Sequence, residues 1–187
     1  MKLIYRTAYM NKLASAMGTP DIKVITGIKR CGKSKLLEAF ADQIRSSFPT
    51  ANIIRINFNL LEFEPLMQYR ALHDYVEKHF VEGCNNVVII DEVQMCEGFE
   101  KAINSLHSSE KYDIYITGSN AFLLSNDLST LFTGRTFEVE VFPFSLAEFA
   151  QYHEITSPDE ALTRYLREGG MPGSYLYPDE RARFVYI

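Results

Sequence analysis

The chain is poor in cysteine, and its three cysteines, Cys31, Cys84 and Cys96, are odd in number and widely spaced. No Cys-x-x-Cys occurs, so neither a disulfide framework nor a structural zinc site is expected, and the thiols read as small packed side chains in a reducing cytoplasm. No run of 18 apolar residues exists, which argues against a membrane span. The first ten residues carry Lys2 and Arg6 but no continuous apolar stretch or small-residue cleavage site, so a signal peptide is not expected. Excess positive charge is also missing. The net charge is −5 and the pI about 5.4, which excludes a wholly basic, nucleic-acid-coating protein but leaves room for a local basic groove. His73, His79, His107 and His153 are scattered with no metal-ligand spacing, and no Gly-x-Ser-x-Gly elbow occurs.

What is present is an ordinary globular balance, 47% hydrophobic and 23% charged over 187 residues. That is enough chain to bury one sizeable core without staples. The tyrosines and phenylalanines are spread over strand and helix faces and read as core, not as a base-stacking platform.

Apolar periodicity gives the layout. Ile4 to Met17 is a short amphipathic lead-in, broken at Gly18-Thr19-Pro20. Residues 22–26, 52–58, 87–90, 112–117 and 136–141 read as five strands. The run Val87-Val88-Ile89-Ile90 is wholly apolar, as expected for a strand covered on both faces. Helices are expected over about 33–46, 66–81, 99–106 and 120–128. Alternating strands and helices imply an α/β, three-layer fold with a mostly parallel five-stranded sheet. After Pro143 the pattern turns helical over 144–153 and 158–167. The expected organisation is therefore a lead-in at 1–20, a core at 21–143 and a helical appendage at 144–187. The apolar Phe184-Val185-Tyr186-Ile187 ending predicts that the native protein continues.

Between the first strand and the first long helix stands Gly27-Ile28-Lys29-Arg30-Cys31-Gly32-Lys33-Ser34, a full match to the phosphate-binding pattern G-x-x-x-x-G-K-[ST]. Polyphosphate is a dense anion, and successive backbone N–H groups at a helix N-terminus bind it directly. Gly27 and Gly32 permit the turn and the close backbone approach. Lys33 reaches the terminal phosphates as a point charge, and the Ser34 hydroxyl is a Mg²⁺ ligand. Lys29, Arg30 and Lys35 add positive charge. This nucleotide-binding set, Gly27 to Lys35, makes ATP the expected substrate and Mg²⁺ the expected cofactor.

The strand 87–90 delivers Asp91 and Glu92 at its carboxyl end, where ligands bind in open α/β sheets. The spacing leaves room for this strand to sit beside the strand that leads into the phosphate loop. Asp91 is a candidate Mg²⁺ ligand through water, and Glu92 a candidate to polarise an attacking water. A kinase needs no such glutamate, so Glu92 favours hydrolysis. Two supporting groups stay open. Ser119 or Asn120, after the fourth strand, would sense the γ-phosphate or merely cap a turn. Arg135 would stabilise phosphoryl charge, in cis or toward a neighbouring subunit, or lie in a surface turn.

Together with Ile89-Ile90-Asp91-Glu92-Val93-Gln94, Ile116-Thr117-Gly118-Ser119-Asn120, Gly134-Arg135, Phe142-Pro143-Phe144-Ser145, Glu148-Phe149 and Gly169-Gly170-Met171-Pro172, the loop resembles the predicted AAA+-superfamily ATPases of bacteria and archaea. The phosphate and acidic motifs are generic to P-loop proteins; the Phe-Pro-Phe-Ser and Gly-Gly-Met-Pro stretches are the more specific signs. The resemblance implies the ASCE arrangement of P-loop folds, with an extra strand between the phosphate-loop strand and the Asp91 strand. It implies nucleotide-site roles for Lys33, Ser34, Asp91 and Glu92, a loose match of Arg6 and Tyr9 to a segment flanking the adenine, and a C-terminal domain of undefined role. The expected activity is Mg²⁺-dependent ATP hydrolysis coupled to conformational change. The alternatives are a slow-turnover nucleotide switch and a small-molecule kinase, for which neither an acceptor pocket nor an arginine-rich lid is visible in sequence. A cytoplasmic location and a homo-oligomer are compatible with this reading. A nucleic-acid or protein partner stays open, and no membrane partner is expected.

Overall fold

The computed structural model describes residues 4–118, 132, 134–177, 179 and 181–183. Its centre is a wholly parallel sheet of β1 (Ile22–Thr26), β2 (Asn52–Asn57), β3 (Asn86–Asp91), β4 (Tyr112–Thr117) and β5 (Thr136–Glu140), in the order β2-β3-β4-β1-β5. The helices are α1 (Thr7–Ser15), α2 (Lys33–Ser47), α3 (Tyr69–Lys78), α4 (Phe99–Ser108), α5 (Leu146–His153) and α6 (Pro158–Glu168).

The sheet separates two apolar layers. On one face Ile54, Ile56, Val88, Ile90, Ile114 and Ile116 pack with Leu72 and Val76 of α3 and Ala102, Ile103 and Leu106 of α4. On the other, Ile25, Val87, Ile89, Tyr115 and Val139 pack with Met10 and Leu13 of α1 and Leu36, Leu37, Phe40 and Ile44 of α2. Alternate residues of β3 thus feed opposite layers, which is why the run reads as continuously apolar. Each fully buried Leu, Ile or Phe contributes about 1.5–3 kcal/mol of transfer free energy, so these stripes hold the helices on the sheet.

Two expectations are corrected. β3 does not adjoin β1: β4 lies between them and pairs with both, Val24 with Ile116 and Ile90 with Ile116. Strand order is set by where crossovers land, not by spacing along the chain. The helix expected over 66–81 is the shorter α3, preceded by a 3-10 turn, Leu61–Leu66. Gln68 is extended and bridges Glu97, which delays the start of α3 to Tyr69. The helix expected over 120–128 and the apolar ending 184–187 lie outside the described residues.

The segment after Pro143 is held by local chemistry. Ser145 caps α5 by accepting from Glu148 N, while Glu148 Oε2 accepts from Ser145 N at 2.9 Å, a complete capping box. Phe149 is fully buried among Tyr165 and Tyr175. Gly170 follows the end of α6. Phe144 N donates to its carbonyl at 2.7 Å, and a β-carbon there would stand 2.5 Å from Phe144 O, so only glycine fits. The chain then returns to the phosphate loop: Pro172 Cγ lies 3.9 Å from where a Gly32 β-carbon would be.

Candidate nucleotide site

Because all five strands are parallel, their carboxyl ends gather on one edge. That edge carries the loop Gly27 to Gly32 after β1, Asn57 at the end of β2, Asp91 at the end of β3 with Glu92 just after it, and Thr117 at the end of β4. The loop is shaped by backbone that side chains resist. Gly27 has φ 146°, and a β-carbon on it would meet Val141 O at 2.3 Å; Gly32 has φ 103° and Arg30 φ 73°. No side chain caps α2 at Gly32, and no acidic residue stands in its first turn. An anion therefore meets a helix N-terminus with neither a competing acceptor nor a repelling carboxylate in that turn.

Lys33 is buried, its Nζ donating to Gly27 O at 2.8 Å and Ile28 O at 3.2 Å. Its charge is thus held inside the loop. Ile28, Lys29 and Arg30 form the exposed rim, while Cys31 is fully buried and its thiol is pushed up by that burial, which keeps it neutral. Lys35 points outward into an ion pair with Glu38 at 2.5 Å. Ser34 and Asp91 line one cleft of about 410 Å³, with Asn57, Arg55 and Phe63 on its other walls. A hydroxyl and a carboxylate are hard oxygen donors of the kind Mg²⁺ takes when substrate phosphates complete its shell. Among the described residues there is no cluster of three His, Cys, Asp or Glu that would form an all-protein cage. A hydroxyl and a carboxylate on one cleft fit a cation whose other ligands come from a nucleotide.

Thr117 was not singled out by its sequence pattern, yet it joins the two acidic residues. Its hydroxyl donates to Asp91 Oδ1 and accepts from Glu92 N at 3.0 Å, and it is fully buried. Glu92 itself is left-handed, φ 57°, a conformation that costs a non-glycine residue about 1–3 kcal/mol. Its side chain accepts from Gln94 Nε2 at 2.5 Å. The only sequence signal for Thr117 was a polar residue closing an otherwise apolar strand.

Arg6 also has a larger part than its sequence position suggests. It is buried. Its guanidinium makes a two-pronged pair with Glu148 (2.8 and 3.0 Å), donates to Cys31 O in the phosphate loop and to Phe142 O, and lies 4.4 Å from the centre of the Tyr9 ring. Burial alone would raise the Glu148 carboxyl, but the bonds from Arg6 and Ser145 outweigh it and hold it below the usual carboxylate range. Arg6 is thus committed to protein groups beside the loop.

Ser119 and Asn120 lie outside the described residues. Arg135 is described, exposed, and at the wrong end of the sheet for a role within its own subunit. Its carbonyl accepts from Ile22 N, at the start of β1, whereas the loop begins after Thr26. Five strand residues span about 17 Å, more than an arginine side chain reaches. The structure thus does not bring Arg135 together with the phosphate loop.

Comparison with known proteins agrees with this geometry. A family model described as an AAA domain matches residues 19–150, most of the chain. An uncharacterized protein of Haemophilus influenzae is 34% identical over 184 residues, covering 95% of this chain and 46% of its own length. One from Methanocaldococcus jannaschii is 29% identical over 175 residues, covering 87% and 38%. The chain thus spans about half the length or less of these curated relatives. AMPPCP-bound DnaA from Aquifex aeolicus shares the fold at a TM-score of 0.57 and 17% identity, over 97% of this chain and 59% of that one. With loop, acidic strand end and sheet order in agreement, the chain belongs to the AAA-domain family of AAA+-type P-loop ATPases.

Proposed function

We propose that this chain binds Mg²⁺-ATP at the loop Gly27 to Lys35 and hydrolyses it, and that the cycle moves the helical segment 144–187 against the core 21–143, with 1–20 as a lead-in. The observation that carries the reading is Thr117, whose one hydroxyl ties Asp91 and Glu92 together at the sheet edge that bears the phosphate loop. Lys33 and the first-turn N–H groups of α2 hold the phosphates. Ser34 and Asp91 hold Mg²⁺, which neutralises charge on the phosphates when bound. Glu92 takes the proton of the attacking water. Ser119 or Asn120 senses the γ-phosphate. Arg135, exposed at the far end of the sheet, serves a neighbouring copy of the chain, which makes the working form a homo-oligomer.

Arg6 supports the coupling, because one side chain touches both the loop carbonyl Cys31 O and the α5 cap Glu148. The chain has no helix, among the described residues, long and apolar enough to cross a membrane, and we place its work in the cytoplasm. Phosphate release from Mg²⁺-ATP tests the reading. Glu92→Gln should bind nucleotide with unchanged affinity and lose at least about a hundredfold in turnover; equal turnover by that variant refutes the role of Glu92. The kinase alternative has the 410 Å³ cleft beside Ser34 and Asp91 in its favour, and phosphoryl transfer to a small acceptor in place of water would select it.

A further inference from the structure

Gln94 sits on the single 3-10 turn Val93–Met95 that follows Glu92. Its Nε2 donates to Glu92 Oε2, and its Oε1 is buried without a hydrogen-bond partner among the described residues. The charge of Glu92 fixes which way the amide faces, since the reverse orientation would set two acceptors against each other. A buried amide oxygen beside a carboxylate is costly unless something brings it a donor.

We propose that Gln94 is a positioning residue for hydrolysis, holding Glu92 with its NH2 and accepting from the attacking water with its Oε1. This rests on the hydrolytic reading above. The carboxylate and the amide oxygen then take one O–H each of a single water, leaving its lone pair to face the γ-phosphate. Amide bond lengths separate O and N by about 2.25 Å, so with an N···O contact of 2.5 Å and the hydrogen cis to the carbonyl donated, the two acceptors stand about 3.4 Å apart. One water at about 2.8 Å reaches both through bent bonds without touching Nε2. In the step itself the water oxygen forms a bond to the γ-phosphorus as the bond to the β,γ-bridging oxygen breaks. One water proton passes to Glu92 and then to phosphate, and the products are ADP and inorganic phosphate. Gln94 neither gains nor loses a proton.

A latch that merely restrains Glu92 would need only the NH2 group and would leave the buried oxygen unexplained. The two roles predict opposite signs. Steady-state phosphate release and equilibrium Mg²⁺-ATP binding are to be measured for the unaltered chain, Gln94→Leu, Gln94→Met, Glu92→Gln and the double variant Glu92→Gln/Gln94→Leu. Both Gln94 variants should lose about 10- to 100-fold in kcat, with KM and ATP affinity within about twofold; the methionine variant guards against a folding defect peculiar to leucine. The double variant should be no slower than Glu92→Gln alone, because both residues act on one water. Capture of ADP with aluminium fluoride, which mimics in-line attack, should weaken by a similar factor, while capture with beryllium fluoride should not. Unchanged or raised kcat in the Gln94 variants, or losses that multiply in the double variant, overturn the proposal. No phosphate release by the unaltered chain overturns the hydrolytic reading instead, and this inference falls with it.

Discussion

Arg6→Ala is the most informative single change outside the acidic pair. Arg6 is 5% exposed and Glu148 18%, so the pair is shielded from solvent on both sides. Truncating one member of a buried pair costs about 3–5 kcal/mol, mostly because the other charge is stranded. Glu148 retains bonds from Ser145 N at 2.9 Å and Ser145 Oγ at 3.2 Å, so the low end applies, about 3 kcal/mol. The carbonyl of Phe142, a residue 56% exposed, can turn to water when its donor is lost and adds little. For a chain of this size each kcal/mol moves Tm by about 2–4 °C, so Tm should fall by about 6–12 °C. Arg6→Lys keeps the charge but not the two-pronged fit and should recover about half of this. Urea unfolding at constant m-value measures the change. A loss below about 1 kcal/mol would mean the pair behaves like an exposed one and would refute the reasoning.

Four further outcomes follow from the same geometry. Gly27→Ala puts a β-carbon 2.3 Å from Val141 O at a φ of 146°, so the loop must move; ATP affinity should drop at least about tenfold, about 1.4 kcal/mol, in equilibrium titration. Thr117→Val keeps the volume but removes a donor to a carboxylate and an acceptor for Glu92 N. It should destabilise by about 2–4 kcal/mol in urea and lower turnover, and a neutral result would show that water replaces the hydroxyl. Glu148 and Glu168 are both held below the usual carboxylate range, so their stabilisation is full above that range and is lost as pH falls through it toward their folded values. The urea midpoint should therefore drop as pH falls below about 5, and less steeply in Arg6→Ala. Arg135→Ala mixed with Lys33→Ala should recover part of the phosphate release that each lacks alone if Arg135 serves a neighbour; no recovery removes that role.

The parts of the fold and site readable from sequence are those whose physics is local. A glycine-bracketed turn ahead of an amphipathic helix announces a phosphate cradle, and an apolar run ending in Asp91-Glu92 announces a buried strand with acids at its tip, because both patterns need only neighbours along the chain. The position of β4 between β1 and β3 has no local signature, and only the family resemblance pointed to it. The end of β4 shows the same limit. Its polar residues drew attention as candidates to face phosphate, whereas Thr117 looks sideways to the neighbouring strand. Arg6, which the resemblance matches loosely to a segment flanking the adenine, pairs with Glu148, a partner its own sequence neighbourhood does not announce. The Phe-Pro-Phe-Ser…Glu-Phe stretch served as a family mark. Its physical content is a capping box, a buried Phe149 and the partner of Arg6, and only the first is local.

The pairing of Arg6 with Glu148 joins residues 142 positions apart. A ribosome adding about 5–20 residues per second makes the first of them about 7–28 s before the second. For most of that interval the phosphate cradle and α2 exist as chain, while the carboxylate that neutralises the guanidinium beside Cys31 does not. The phosphate site is thus made well before it is finished, and until α5 arrives the Arg6 guanidinium beside Cys31 has no carboxylate to neutralise it.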